Sequence, residues 1–239
     1  MVKHLRHLVY AAGFLISFHL ALPAYVSSSF LAAVTSSLNH SRLVGGIFFL
    51  AAAAALGGIA TIDRPIKRFG LRATTVSLSA AVALLGLALW LSTNPWLSVI
   101  LFIAFYASGL VIKFLLDIYL EDLSTNGATG RIRGLFLTLT NLAWLASPII
   151  ASRLINEIYF ERVYLLAAAI LLPFIYLIAL PLKHIPEPQY AHHSFFTSLK
   201  LLSGRGELAI KQSIWLSLIL DLFYAFMVIY LPLYLNLHL

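Results

Sequence analysis

The chain alternates between long apolar stretches and short basic breaks. Residues 7–41 contain no Asp, Glu, Lys or Arg, and neither do 43–62, 73–112, 134–152 and 163–182. A run of about 20 apolar residues is enough for a helix to cross the hydrocarbon core of a bilayer. The first run predicts span 1 at about 8–34, where Pro23 is placed to kink the helix and Ser27, Ser28 and Ser29 follow. The second predicts span 2, with Ala51–Ala55 and Gly57-Gly58 as small packing residues. The run 73–112 is too long for one crossing. Ser92-Thr93-Asn94-Pro95 cuts it into spans 3 and 4, since Asn-Pro marks a turn. Span 5 is expected at 134–152, span 6 at about 163–182 and span 7 at about 213–235, the last with one acid, Asp221. The expected fold is all-α, a polytopic transmembrane bundle of six helices plus a seventh.

Composition agrees with this reading. Of 239 residues, 61% are hydrophobic and 10% charged, against about 45–50% and about 25% in soluble domains. That excludes a soluble enzyme, a disordered chain and a nucleic-acid-binding domain. Cysteine is absent, so disulfides, thiolate metal sites and Cys nucleophiles are excluded as well. The net charge of +7 then needs another explanation, and the sidedness of the cations supplies one. Thirteen of them (Lys3, Arg6, Arg64, Lys67, Arg68, Arg72, Lys113, Arg131, Arg133, Lys183, Lys200, Arg205 and Lys211) fall on one side of the predicted spans. Three, Arg42, Arg153 and Arg162, fall on the other. Short loops rich in Lys and Arg stay in the cytoplasm. The expectation is a multi-pass protein of the plasma (inner) membrane with a cytoplasmic N-terminus. Span 1 is too long for a signal-peptide core and is expected to be retained.

Three regions follow from the spacing of the spans: a six-helix bundle at 1–182, a cytoplasmic linker at 183–212, and at 213–239 the first helix of a second bundle. The linker holds Pro186-Glu187-Pro188, His192-His193 and an apolar patch at Phe195–Leu202 suited to a short amphipathic helix on the inner leaflet.

Six helices, a long cytoplasmic loop and a further helix resemble the layout of the major facilitator superfamily, whose members set two six-helix halves around a central cavity. The segment IDRPIKRFGLR (62–72) resembles that family's signature between spans 2 and 3. Asp63-Arg64 supplies the acid–base pair, and Arg68, Gly70 and Arg72 supply a glycine flanked by cations. In span 5, Ser147-Pro148-x-x-Ala151-Ser152 resembles the family's Gly-Pro-x-x-Gly-Gly element, with other small residues at the glycine positions. The resemblance implies a secondary active transporter for a small solute, driven by a proton or solute gradient. It also implies that the chain is a fragment covering the N-terminal half and helix 7, with the C-terminal half of the same transporter as its missing partner.

Asp221 lies about eight residues into span 7, roughly 12 Å deep at about 1.5 Å per residue. A charged Asp there costs on the order of 2.5–3.5 kcal/mol, so it faces a cavity, pairs or is protonated. It is a candidate for proton coupling or cation contact, with a structural interhelical hydrogen bond as the alternative. The resemblance implies that spans 1 and 7 are counterparts lining the cavity. His19, mid-span in span 1, is a candidate for substrate binding or proton relay, or else a neutral imidazole bonded across helices. Tyr25, two residues past Pro23, is a cavity candidate from the same helix. Asn141 in span 5 is an amide able to contact substrate or to join two helices.

A charge set lies at the cytoplasmic ends. Asp117 and Glu121 are one turn apart after span 4, with Asp122 beside them and Lys113 one turn earlier. Arg131 and Arg133 open span 5. The resemblance implies that such pairs, with Asp63, Arg64, Arg68 and Arg72, close the cytoplasmic side as a gate; solvated positive-inside charge is the alternative. His192-His193 lacks a third ligand at recognisable spacing, so no metal is expected, and no cofactor motif is present. Membrane lipid, a small solute and protons are the expected partners, and nucleic acid is not. Two other classes compete: a complete seven-helix receptor, and an intramembrane enzyme. A retinal receptor needs a Lys in its last span, which 213–239 lacks. An aspartyl intramembrane enzyme needs a second carboxylate beside Asp221, so no enzyme is expected.

Overall fold

A computed structural model describes residues 2–36, 43–122, 129–154, 160–181, 208–231 and 234. Every described element is helical. The helices are α1 (Val2–Ser36), α2 (Val44–Thr61), α3 (Asp63–Phe69), α4 (Leu71–Leu91), α5 (Pro95–Asp122), α6 (Thr129–Leu154), α7 (Glu161–Ala179) and α8 (Leu208–Ala225). Among the described residues, six helices are long and apolar enough to cross a membrane: α1, α2, α4, α5, α6 and α7. The protein is an all-α multi-pass membrane bundle. Most of the expected linker, including His192-His193 and Phe195–Leu202, lies outside the described residues.

Local chemistry sets the boundaries. Asn94 caps α5, its Oδ1 accepting from the backbone N–H of Trp96 at 3.0 Å and of Leu97 at 3.2 Å. Pro95 occupies the first helical position, where a missing N–H is harmless. The Ser98 hydroxyl donates to the Ser92 Oγ at 2.9 Å and ties down the turn. Between α3 and α4, Gly70 has φ 82° and ψ 160°, a region open almost only to glycine. Its N–H closes α3 on Ile66 O at 2.8 Å, and its carbonyl accepts from the Thr74 hydroxyl at 2.7 Å. Residues 63–69, which read as loop in sequence, are therefore a short helix held against α4. α5 also runs on to Asp122, so Asp117 and Glu121 stand on its last turns.

Three helices contain proline: Pro23 in α1, Pro148 in α6 and Pro173 in α7. Each lacks an N–H for the carbonyl one turn earlier, yet the helices continue. Buried hydroxyls bond back to carbonyls nearby: Ser27 to Pro23 O at 2.7 Å and Ser147 to Ala143 O at 2.6 Å. Within lipid, polar groups must be satisfied inside the protein in this way.

The chain divides into two compact units, Met1–Pro188 and Gln189–Leu239. In the first, the six principal packing pairs among the spans are α1 with α5, α6 and α7, α5 with α2 and α4, and α4 with α7. Exchanging α1, α2, α4 for α5, α6, α7, one for one, converts this set into itself. α1–α6 becomes α5–α2, α1–α7 becomes α5–α4, and the other two pairs map onto themselves. Burial follows the same correspondence, with α2 and α6 equally the least enclosed at 28% each and α1 and α5 the most. Three crossings separate each helix from its mate, so mates run in opposite directions across the membrane. The unit is thus two inverted trios, interleaved rather than side by side.

In the second unit, α8 continues through a widened, π-helical stretch, Phe226–Tyr230. Its apolar part, Trp215–Ala225, is shorter than the six candidate spans and is not one of them, so the expected seventh span at 213–235 is not among the helices long and apolar enough to cross within the described residues.

Candidate functional site

His19 lies at the middle of α1 and is fully buried. Its Nδ1 is 2.9 Å from the carbonyl oxygen of Ala167 in α7. A carbonyl only accepts, so Nδ1 carries the proton. The ring packs on Phe105 of α5 at 5.1 Å between centroids, and Nε2 has no hydrogen-bond partner among the described residues. Nε2 stands beside Gly109 of α5, where an added Cβ would come within 3.5 Å of it and 2.9 Å of Leu20 Cδ2. His19 therefore joins α1, α5 and α7 inside the unit.

About two turns further along α1, Ser27 Oγ lies 3.1 Å from the hydroxyl of Tyr164 in α7. Tyr164 is fully buried and packs on Phe30 and Phe105. Gly86 of α4 closes this core, since a Cβ there would meet Tyr164 O at 3.0 Å and Ala168 Cβ at 2.9 Å. Tyr164 went unremarked in the sequence, although a phenol within an apolar run signals a buried polar contact.

Tyr25 and Asn141 are both exposed. The Tyr25 ring meets Trp144 of α6 edge-on, with centroids 6.2 Å apart. Trp144 is three residues from Asn141, so the two share a face of α6. An aromatic pair with an amide one turn away thus marks the outer face along α1 and α6. Pro148 cannot donate to the Trp144 carbonyl, which leaves an acceptor at the same level. Trp144 is the residue that sequence reading missed here; its spacing from Asn141 was the available signal. Behind this face, Ser147 and Ala151 are buried, and Ala151 packs with Leu22 and Val26 of α1. Ser152 is exposed and bonds back to Ile149 O at 2.9 Å.

The charges at the facing ends of α5 and α6 and on α3 form a separate group. Lys113, Asp117 and Glu121 are exposed along one face of α5, and Arg131 and Arg133 are exposed in the first turns of α6. The charges of Lys113, on the same helix, and Arg133, at the start of α6, both act on Asp117. Acids at a helix C-terminus are opposed by its dipole, and these cations offset that. Arg64, Arg68 and Arg72 are exposed, while Asp63 is half-buried.

Asp221 is exposed on α8 in the second unit. Among the described residues no group of three His, Cys, Asp or Glu could hold a metal ion. No family model and no curated protein matches the chain.

Proposed function

We propose that the chain is part or all of a secondary transporter that moves a small solute by alternating access, driven by a proton or solute gradient. The observation that carries this reading is the exchange of packing between two inverted, interleaved trios. Inverted repeats are the construction on which rocking transporters are built, with the solute site near the midplane at the repeat interface. The face formed by Tyr25, Trp144 and Asn141 is the solute-binding candidate. It offers aromatic surface, an amide and a carbonyl released by proline, and no counter-charge, so it suits an uncharged or aromatic group of the solute. The N-terminus is assigned to the cytoplasm of the plasma membrane on the distribution of basic residues. Asp221 is assigned to proton or cation coupling on the cost of a charge within a span.

The absence of native cysteine makes a direct test available. Asn141→Cys and Tyr25→Cys are introduced singly into the full chain in sealed vesicles. Leu84→Cys and Leu172→Cys, exposed at apolar surface, serve as lipid-facing controls. A membrane-impermeant thiol reagent is expected to label the first two from either side, and the controls from neither. Labelling of Asn141→Cys from one side alone would favour a receptor pocket. Labelling no faster than the controls would refute the cavity assignment.

A further inference from the structure

The short helix α3 follows α2 at the basic end of the unit. At about 100° per residue, Lys67, Arg64 and Arg68 fall within about 100° of arc, and all three are exposed. Ile66 points the other way and is buried. Arg72, exposed in the first turn of α4, extends the basic surface. Phe69 is 59% exposed, and the Arg68 guanidinium lies 5.0 Å above its ring. The helix is pinned by buried Ile66, by the Gly70 N–H bond to Ile66 O and by its packing on α4. The cations therefore project from a fixed surface beside the membrane.

We propose that α3 is a binding face for anionic phospholipid, its cations seating the phosphate headgroup while Phe69 enters the acyl boundary. Positive-inside bias accounts for cations on this side of the bilayer. It does not require them to share one face of a pinned helix, nor to carry an exposed aromatic ring beside them. Both features suit an interfacial helix, whose apolar groups sit at headgroup depth with cations above. Each basic residue near an anionic surface strengthens lipid retention by about fivefold.

The test uses the full chain in neutral detergent. Binding of phosphatidylglycerol and of phosphatidylcholine is titrated by native mass spectrometry. Arg64→Gln/Lys67→Gln/Arg68→Gln is expected to weaken phosphatidylglycerol binding by at least about tenfold and leave phosphatidylcholine unchanged. Lys113→Gln/Arg131→Gln/Arg133→Gln removes as many cations elsewhere on the same side and is expected to leave both unchanged. Equal loss in the two triple variants, or no loss in the first, overturns the proposal. So does displacement of the lipid by inorganic phosphate alone, which would make the site one for the free ion. Phe69→Trp keeps every charge and covers the case in which the triple variant fails to fold. Its fluorescence should be quenched more by brominated phosphatidylglycerol than by brominated phosphatidylcholine in mixed bilayers, and equal quenching counts against the proposal.

Discussion

Replacing His19 by leucine removes the hydrogen bond between α1 and α7 while leaving the core filled. The bond, 2.9 Å from Nδ1 to Ala167 O, is worth about 0.6 kcal/mol, with about 1.7 kcal/mol as the upper end for interhelical bonds in membranes. Ala167 O is not orphaned by the change, because it lies within α7 and has a helical partner one turn on. Against this loss stands the removal of Nε2, buried without a partner, which costs about 1–3 kcal/mol in the parent. The two effects offset, so His19→Leu is expected to unfold within about 1 kcal/mol of the parent, or above it. His19→Ala loses the same bond but opens a cavity beside Phe105, which costs about 2–5 kcal/mol in comparable truncations. Thermal unfolding in detergent, followed by tryptophan fluorescence, separates the cases. Both variants lose the same bond and the same unpartnered Nε2, so at about 2–4 °C per kcal/mol for a chain of this size the alanine variant should melt at least about 4 °C below the leucine variant. A leucine variant as unstable as the alanine one would refute the reasoning, because the bond rather than the volume would then hold the helices.

Three glycine substitutions test packing and backbone conformation. Gly86→Ala would place a Cβ 3.0 Å from the Tyr164 carbonyl, which cannot yield. A loss of about 1–3 kcal/mol is expected, read as a lowered melting temperature. Gly57→Ala, with nothing within 4 Å, should instead gain about 0.5–1 kcal/mol in the same measurement. Gly70→Ala, at φ 82°, is expected to cost about 1–3 kcal/mol and to speed proteolysis between α3 and α4.

The spans were legible because a membrane crossing is a property of composition over about 20 residues, and the uncharged runs report it directly. The turn at Asn94-Pro95 was legible because its chemistry is local: the cap and the proline are neighbours in sequence. α3 was not, since a seven-residue segment with three cations satisfies a loop reading as well as a helical one, and what decides is the burial of Ile66 against α4. The inward faces were hidden for a different reason. Lipid is as apolar as the bundle interior, so the contrast that marks the buried stripe of a soluble helix is missing. Tyr25 and Asn141 could be singled out as polar groups in apolar runs. That Trp144 joins them, and that His19 meets Ala167, depends on packing between residues more than a hundred positions apart. No local pattern carries that information.

The exchange of packing pairs maps α1 onto α5 and α5 onto α1, so the contact between these two helices is one that maps onto itself. His19 lies at the middle of α1 and Gly109 at the middle of α5, and the two are in contact there. There is no room for a side chain opposite His19, since a Cβ at position 109 would already lie 2.9 Å from Leu20 Cδ2. A histidine fits only opposite a residue without a side chain, and glycine supplies that. The two mates therefore carry different side chains where they meet. α1 gains a polar tether to α7 through His19. The corresponding pair, α5 and α4, cannot form one through Gly109, which has no side chain to donate or accept. α1 is also the more enclosed of the two mates, at 61% against 44%. Of the two mates, α1 is thus fastened more firmly than α5.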